Sequence, residues 1–226
     1  VKLVDIRNLE EAKKQLSGST KLGNIKAWGT TAGKTCPGAV CPTTKEVKPA
    51  CKGCYAKKGQ FRMNVRVKNK KLDNQNAWRH KDWVADMVEE LDNHRYFRWF
   101  DSGDVYHPDQ AKKIYEIMKE TTWVKHWLPT QSYDIPKLAV WLKKMNKLRN
   151  VKVTNSSPSD TGAFELKKHQ TTIVDKKTAE LWHKGQGKPK DIEMCPAGAK
   201  ESKTTCDTCK KCWDKKNKKV IAFTKH

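Results

Sequence analysis

Residues 95–120 read RYFRWFDSGDVYHPDQAKKIYEIMKE, and this stretch decides the fold class. An aromatic run from 95 ends in the small acidic turn DSGD (101–104). Pro108 then opens a segment that sets Ala111, Ile114, Tyr115 and Met118 on one helical face. The unit is a strand, a glycine turn and a helix with almost no linker. Outward in both directions the same rhythm recurs. IKAWGTTA (25–32) reads as a strand and 75–92 as one helix, with Ala77, Val84, Val88 and Leu91 on a stripe. Residues 122–132 read as a strand and 134–148 as a helix capped by Asp134, with Ile135, Leu138, Leu142 and Met145 inward. Further strands are expected at 150–157, 170–175 and 218–226. Alternating strands and helices on short links predict βαβ units and a parallel sheet. About six strands are too few for a closed eight-fold barrel, so the α/β fold expected is a partial barrel or an open sheet, with its site on the loops after the strands. One domain, 1–226, is expected: a core over 26–190 and a C-terminal cysteine-rich segment, 191–226, packed on it.

The 226 residues carry a formal net charge of +22, from 47 basic and 25 acidic side chains. Such a field attracts phosphate backbones and admits nucleic acid as a partner. Only seven of the basic residues are Arg, however, and scattered Lys also suits a solvated surface. No run of about 18 apolar residues is present, so no membrane partner is expected. Residues 1–16 lack the apolar core of a secretory leader, which makes a reducing cytoplasm the expected compartment.

All eight cysteines fall into two groups. The first is Cys36, Cys41, Cys51 and Cys54; the second is Cys195, Cys206, Cys209 and Cys212. Both lie in polar loops rich in Gly, Pro and Lys, which points to metal ligation rather than core packing or disulfides. Zinc sites usually pair two C-x2-C knuckles. The dense triple Cys206, Cys209, Cys212 with a remote Cys195-Pro196 is closer to ferredoxin loops, and so to an iron–sulfur cluster, with zinc as the alternative. Neighbouring lysines, Lys34, Lys52, Lys57, Lys58, Lys203, Lys210 and Lys211, offset thiolate charge. There is no phosphate-binding G-x-x-x-x-G-K-[S/T] loop, and the seven histidines show no metal-binding pairing. His107 reads as a helix-entry residue, and Trp213 as a shield beside Cys212.

The ordered pieces TCPGA, CKGCYAKKG, RWFDSGDV, WLPTQS, VTNSS, CDTCKKCW and VIAFTKH resemble the phage "gene product eighty-eight" family over most of the chain. That pattern is in turn similar to radical S-adenosylmethionine (SAM) proteins. The resemblance implies a partial barrel, a 4Fe–4S cluster, one or two per chain, and a virus-encoded protein in the host cytoplasm. It also places SAM or another ligand at the strand ends, near Ser102, Gly103, Asp104, Thr130, Ser132, Asn155 and Ser156. Four cysteines in the first group, at wide spacing, depart from the usual C-x3-C-x2-C loop. Full ligation leaves no iron open to SAM and implies electron transfer, with a redox partner, or a structural cluster. A triad of Cys51 and Cys54 with either Cys36 or Cys41 leaves one open. A zinc-stapled basic protein that binds nucleic acid is the competing reading.

Overall fold

A computed structural model describes residues 16–198 and 202–225; residues 1–15, read above for a leader, and His226 lie outside them. Strands β1 (Lys26–Trp28), β2 (Tyr96–Trp99), β3 (Lys125–Thr130) and β4 (Val151–Asn155) form one parallel sheet in that order. Its register pairs Trp28 with Trp99, Arg98 with Trp127, and Thr130 with Asn155. A second parallel sheet has the order β5 (Thr171–Val174), β7 (Val220–Thr224), β6 (Ile192–Met194). One parallel bridge, Ser156 to Thr171, connects the edges of the two sheets. The fold is mixed α/β with parallel sheets, as the alternating pattern predicts, and no closed barrel forms among the described residues.

Alternation along each strand builds two different faces. Phe97, Trp99, Leu128, Val151 and Val153 turn to the helical side, where α4 (Trp83–Glu90), α5 (Pro108–Glu120) and α6 (Pro136–Lys147) supply Met87, Ile114, Met118, Leu138 and Met145. Trp28, Trp83 and Trp99 pack edge to face at its centre. On the opposite face, Ala27 and Trp127 meet Ile221 of the second sheet, and between them lie Cys195, Cys206, Cys212 and Trp213. The C-terminal cysteine segment is therefore core material shared by both sheets. A third cluster sets Ala179 of α7 (Lys176–His183) on Val174, Ile192, Val220 and Ala222.

Three sequence expectations are corrected. The helix expected over 75–92 is two helices, α3 (Val65–Ala77) and α4, because residues 78–82 turn. There Trp78 and Arg79 both reach the Tyr106 hydroxyl, at 2.7 and 3.2 Å. Asp134 does not cap α6: residues 132–134 form a 3-10 turn, Ile135 precedes the helix, and Pro136 opens it. Among the described residues seven strands stand where about six were expected, the short β6 having no readable pattern. His107 is the N-cap of α5, accepting from the Asp109 amide at 3.2 Å. No helix among the described residues is long and apolar enough to cross a membrane.

His126, fully buried on β3, is held neutral. Trp99 Nε1 donates to its Nδ1 at 3.2 Å and its Nε2 lies 2.9 Å from Thr121 Oγ1. Burial lowers its pKa to about 3. Unfolding frees an imidazole that takes up a proton below pH 6.5, so this site's contribution falls from pH 6.5 toward 3. The loss reaches on the order of 3 kcal/mol by pH 4. His126→Gln keeps donor and acceptor without the titration. Its denaturant-measured stability should decline less steeply over that window than the native chain's; parallel curves would show that His126 does not carry the effect.

Candidate metal centre

The loops after the strands share the carboxyl edge of the first sheet, and the four-residue turn 101–104 ties them together. Phe100, at φ 54°, enters it and Gly103, at φ 75°, leaves it. A Cβ on Gly103 would stand 2.0 Å from Thr30 Oγ1 and 2.7 Å from Thr35 Oγ1, so only glycine fits. Ser102 Oγ donates to the Thr30 carbonyl at 2.6 Å, and the Asp104 amide donates to the Thr35 carbonyl at 3.0 Å. The turn is thereby pressed onto the loop that leads into the first cysteines.

Asp104 is buried, and three donors meet its carboxylate: Thr130 Oγ1 at 2.7 Å and the amides of Gln131 and Val105 at 2.8 and 2.7 Å. Burial raises its pKa to about 6 against the pull of these bonds. Ser132 Oγ donates to the Val105 carbonyl at 2.9 Å, and its amide donates to Thr130 Oγ1 at the same distance. Of the strand-end residues singled out in the sequence, Ser102, Gly103, Asp104, Thr130 and Ser132 thus converge, with their polar atoms bonded to one another and to backbone. Asn155 and Ser156 adjoin Thr130 through the backbone, the Ser156 amide donating to its carbonyl at 2.9 Å, but their side chains join the 168–171 segment: Asn155 Nδ2 donates to the Lys168 carbonyl at 3.1 Å and Thr171 to Ser156 Oγ at 2.9 Å.

The first cysteine group divides. The thiols of Cys51 and Cys54 and the carboxylate of Asp104 all act on Cys36, whose pKa burial pushes up to about 12. Cys51, raised to about 11 chiefly by burial, feels Cys54, Asp104, Lys48 and Lys57. Cys41 belongs to another environment. Hydrogen bonds from Thr44, then Thr43, with Lys48 beyond them, hold its pKa below the usual thiol range. An antiparallel bridge between Val40 and Val47 makes residues 40–47 an excursion that leaves and returns at one place, with Cys41 at its base. The Lys48 amide closes it onto the Ala39 carbonyl at 2.8 Å. Excising that excursion leaves six residues between Cys36 and Cys51, so the wide spacing does not translate into distance. Lys48 is itself buried, near Gln131 and 3.8 Å from Asp134.

The second group stays together. Cys195 follows β6, its amide bonded to the Ala222 carbonyl at 2.9 Å. Cys206 and Cys209 bound the one-turn helix α8 (Cys206–Cys209), whose start is fixed by the Cys206 amide on the Lys21 carbonyl and by Asp207 on the Asn24 amide at 3.1 Å. Lys210, left-handed at φ 56°, ends it and brings the chain round to Cys212. Burial raises the thiols of Cys195, Cys206 and, most strongly, Cys212, and each feels two or more cysteines of the set or the cations beside it. Those cations are Lys21 and Arg98, with Lys152 on the Cys212 side. Trp213 is buried, donates to the Phe97 carbonyl at 2.8 Å, and walls the group from Trp127. Among the described residues no three His, Cys, Asp or Glu side chains close up as the ligands of a single ion do.

Between the two groups runs a chain that sequence reasoning missed. Tyr55, next to Cys54, donates to the Asp101 carbonyl, and Arg98 Nη2 approaches the Tyr55 hydroxyl at 3.4 Å. Asp101 is paired with buried Lys71 and accepts from Ser17 at 2.7 Å. An Arg inside an aromatic strand run was the available signal.

The whole-chain pattern of these motifs has a family match. The chain belongs to the Gene product 88 family, whose model matches residues 5–215. No curated protein and no solved structure matches it. Family membership covers both cysteine groups and the turn that carries Gly103. Gly103→Ala should cost more than about 2 kcal/mol, from the left-handed backbone and the clash with Thr30. That is a fall of several degrees in Tm for a chain this long. An unchanged thermal midpoint would show that the turn is not packed as described.

Proposed function

We propose that this chain is a phage-encoded iron–sulfur protein acting in its host's cytoplasm, on a partial-barrel scaffold similar to that of radical SAM proteins. In this reading Cys195, Cys206, Cys209 and Cys212 hold a fully ligated 4Fe–4S cluster. Cys36, Cys51 and Cys54 would hold a second one, with one iron left without a cysteine. The observation that carries it is the division of the first group into three gathered thiols and a separate Cys41. The donor chemistry supports the fit, since both sets offer thiols with cations, Lys48 and Lys57 at one and Lys21, Arg98 and Lys152 at the other, to offset thiolate charge. When bound, such a cluster supplies one-electron transfer and, at an open iron, a seat for the amino and carboxylate groups of SAM.

Anaerobic reconstitution followed by iron and sulfide counts tests this. Cys36→Ala, Cys51→Ala and Cys54→Ala should each remove about half the iron, as should Cys206→Ala, whereas Cys41→Ala should remove none. SAM should perturb the cluster's EPR signal in the native chain and not in Cys51→Ala. Colourless protein with stoichiometric zinc would overturn the proposal.

A second reading, nucleic-acid contact, has its own observation. Residues 47–72 contain no acidic side chain, and Lys57, Lys58, Arg62, Arg66 and Lys68 stand exposed beside Met63 and Val65. Affinity for single-stranded DNA should then fall steeply with salt and weaken when Arg62 and Arg66 become Gln. A flat salt response would remove it.

A further inference from the structure

This inference rests on the iron–sulfur reading and concerns Arg98. The residue stands on β2, on the face turned toward the C-terminal cysteines, with its guanidinium 4.9 Å from the centre of the Trp127 ring. The side chain as a whole is half-buried, but its Nε is closed to solvent and has no hydrogen-bond partner. Buried donors are rarely left so, and a charged one without an acceptor is costly. Asp101, the carboxylate that acts on the guanidinium, is engaged by Lys71 and Ser17. Trp127, under the guanidinium, packs in one cluster with Cys195, Cys206 and Cys212, which sets the C-terminal thiols on that side of Arg98, and Nη2 lies 3.4 Å from the Tyr55 hydroxyl.

We propose that Arg98 donates its Nε–H to the sulfur of the cluster held by Cys195, Cys206, Cys209 and Cys212, and so sets that cluster's reduction potential. Reduction adds one electron from an external donor and one unit of negative charge at the sulfurs. A fixed cation with an N–H···S bond stabilises the reduced form more than the oxidised form and raises the potential. Trp127 below the guanidinium and Trp213 beside the cysteines limit water that would otherwise screen the charge.

The test uses the full chain, reconstituted anaerobically with iron and sulfide, as wild type, Arg98→Gln and Arg98→Lys. Circular dichroism, iron content and midpoint potentials from an EPR-monitored dithionite titration are read on each. Arg98→Gln should keep its iron and move one of the two potentials to more negative values. Arg98→Lys, which retains charge but has no N–H at the Nε position, should move the same potential by less. The shift should persist when Cys36 is also replaced by Ala, because it belongs to the other cluster. Unmoved potentials in iron-loaded Arg98→Gln would overturn the role of Arg98 while leaving the cluster reading intact. Should the Gln variant lose its fold or its iron, unmoved potentials in the Lys variant overturn it instead. A wild type that takes up no iron overturns the cluster reading, and this inference with it.

Discussion

Two carboxylates are buried within four residues, Asp101 and Asp104, and the rest of the site depends on how each is held. A buried carboxylate without partners is prohibitively costly, so each must be met by donors that other segments supply. Asp101 draws Lys71 from α3 and Ser17 from the segment ahead of β1. Asp104 draws Thr130 and the amides that follow β2 and β3. One turn thus fixes the mutual positions of the first three strand ends. Because Tyr55 donates to the Asp101 carbonyl, the same turn also fixes the last residues of the first cysteine loop. Precision at the cysteines is inherited from this polar junction, whereas the aromatic layer beneath supplies its rigidity.

The two faces of the first sheet carry different chemistry for the same reason. The helical face is filled by Trp, Ile, Leu and Met with few polar atoms. The other face receives Arg98 and Lys152 from strands that place Phe97, Trp99, Val151 and Val153 behind them. Lys152 is buried with its ammonium 2.7 Å from the Asp214 carbonyl. Cations on an interior face are expensive without partners, and Lys152 finds the Asp214 and Asn217 carbonyls there. These few interior charges account for little of the net +22. The bulk of it is surface lysine, which keeps the question of a polyanionic partner separate from that of the cysteines.

Much of this was legible. Apolar periodicity located β2, α5, β3, α6 and β4, and turn chemistry located the strand-end loops, because in a parallel sheet those signals follow directly from burial. Helix α3 was not legible, since the side chains it buries are Lys71, Asn74 and Ala77. Its inward face is polar: Lys71 pairs with Asp101, and Asn74 donates to the Gly29 carbonyl at 2.8 Å. A hydrophobic pattern cannot report a helix that docks through an ion pair and an amide. Likewise the strand-end polar residues were readable as a group, but not that their atoms would bond one another. That depends on the close approach at Gly103, a tertiary fact.

The wide spacing of the first cysteines shows how spacing along a chain can mislead. Fourteen residues between Cys36 and Cys51 depart from the compact C-x3-C-x2-C loop. A bridge at Val40–Val47 closes eight of them into a side excursion, and Ala39 passes directly to Lys48 by a backbone hydrogen bond. Loop closure of that kind adds little entropy cost, because the cost grows only with the logarithm of length. Cys41 stands at the base of that excursion, in surroundings of Thr43, Thr44 and Lys48. Cys41, next to the bridge, takes its hydrogen bonds from within that excursion, whereas Cys36 and Cys51 feel the Asp104 carboxylate.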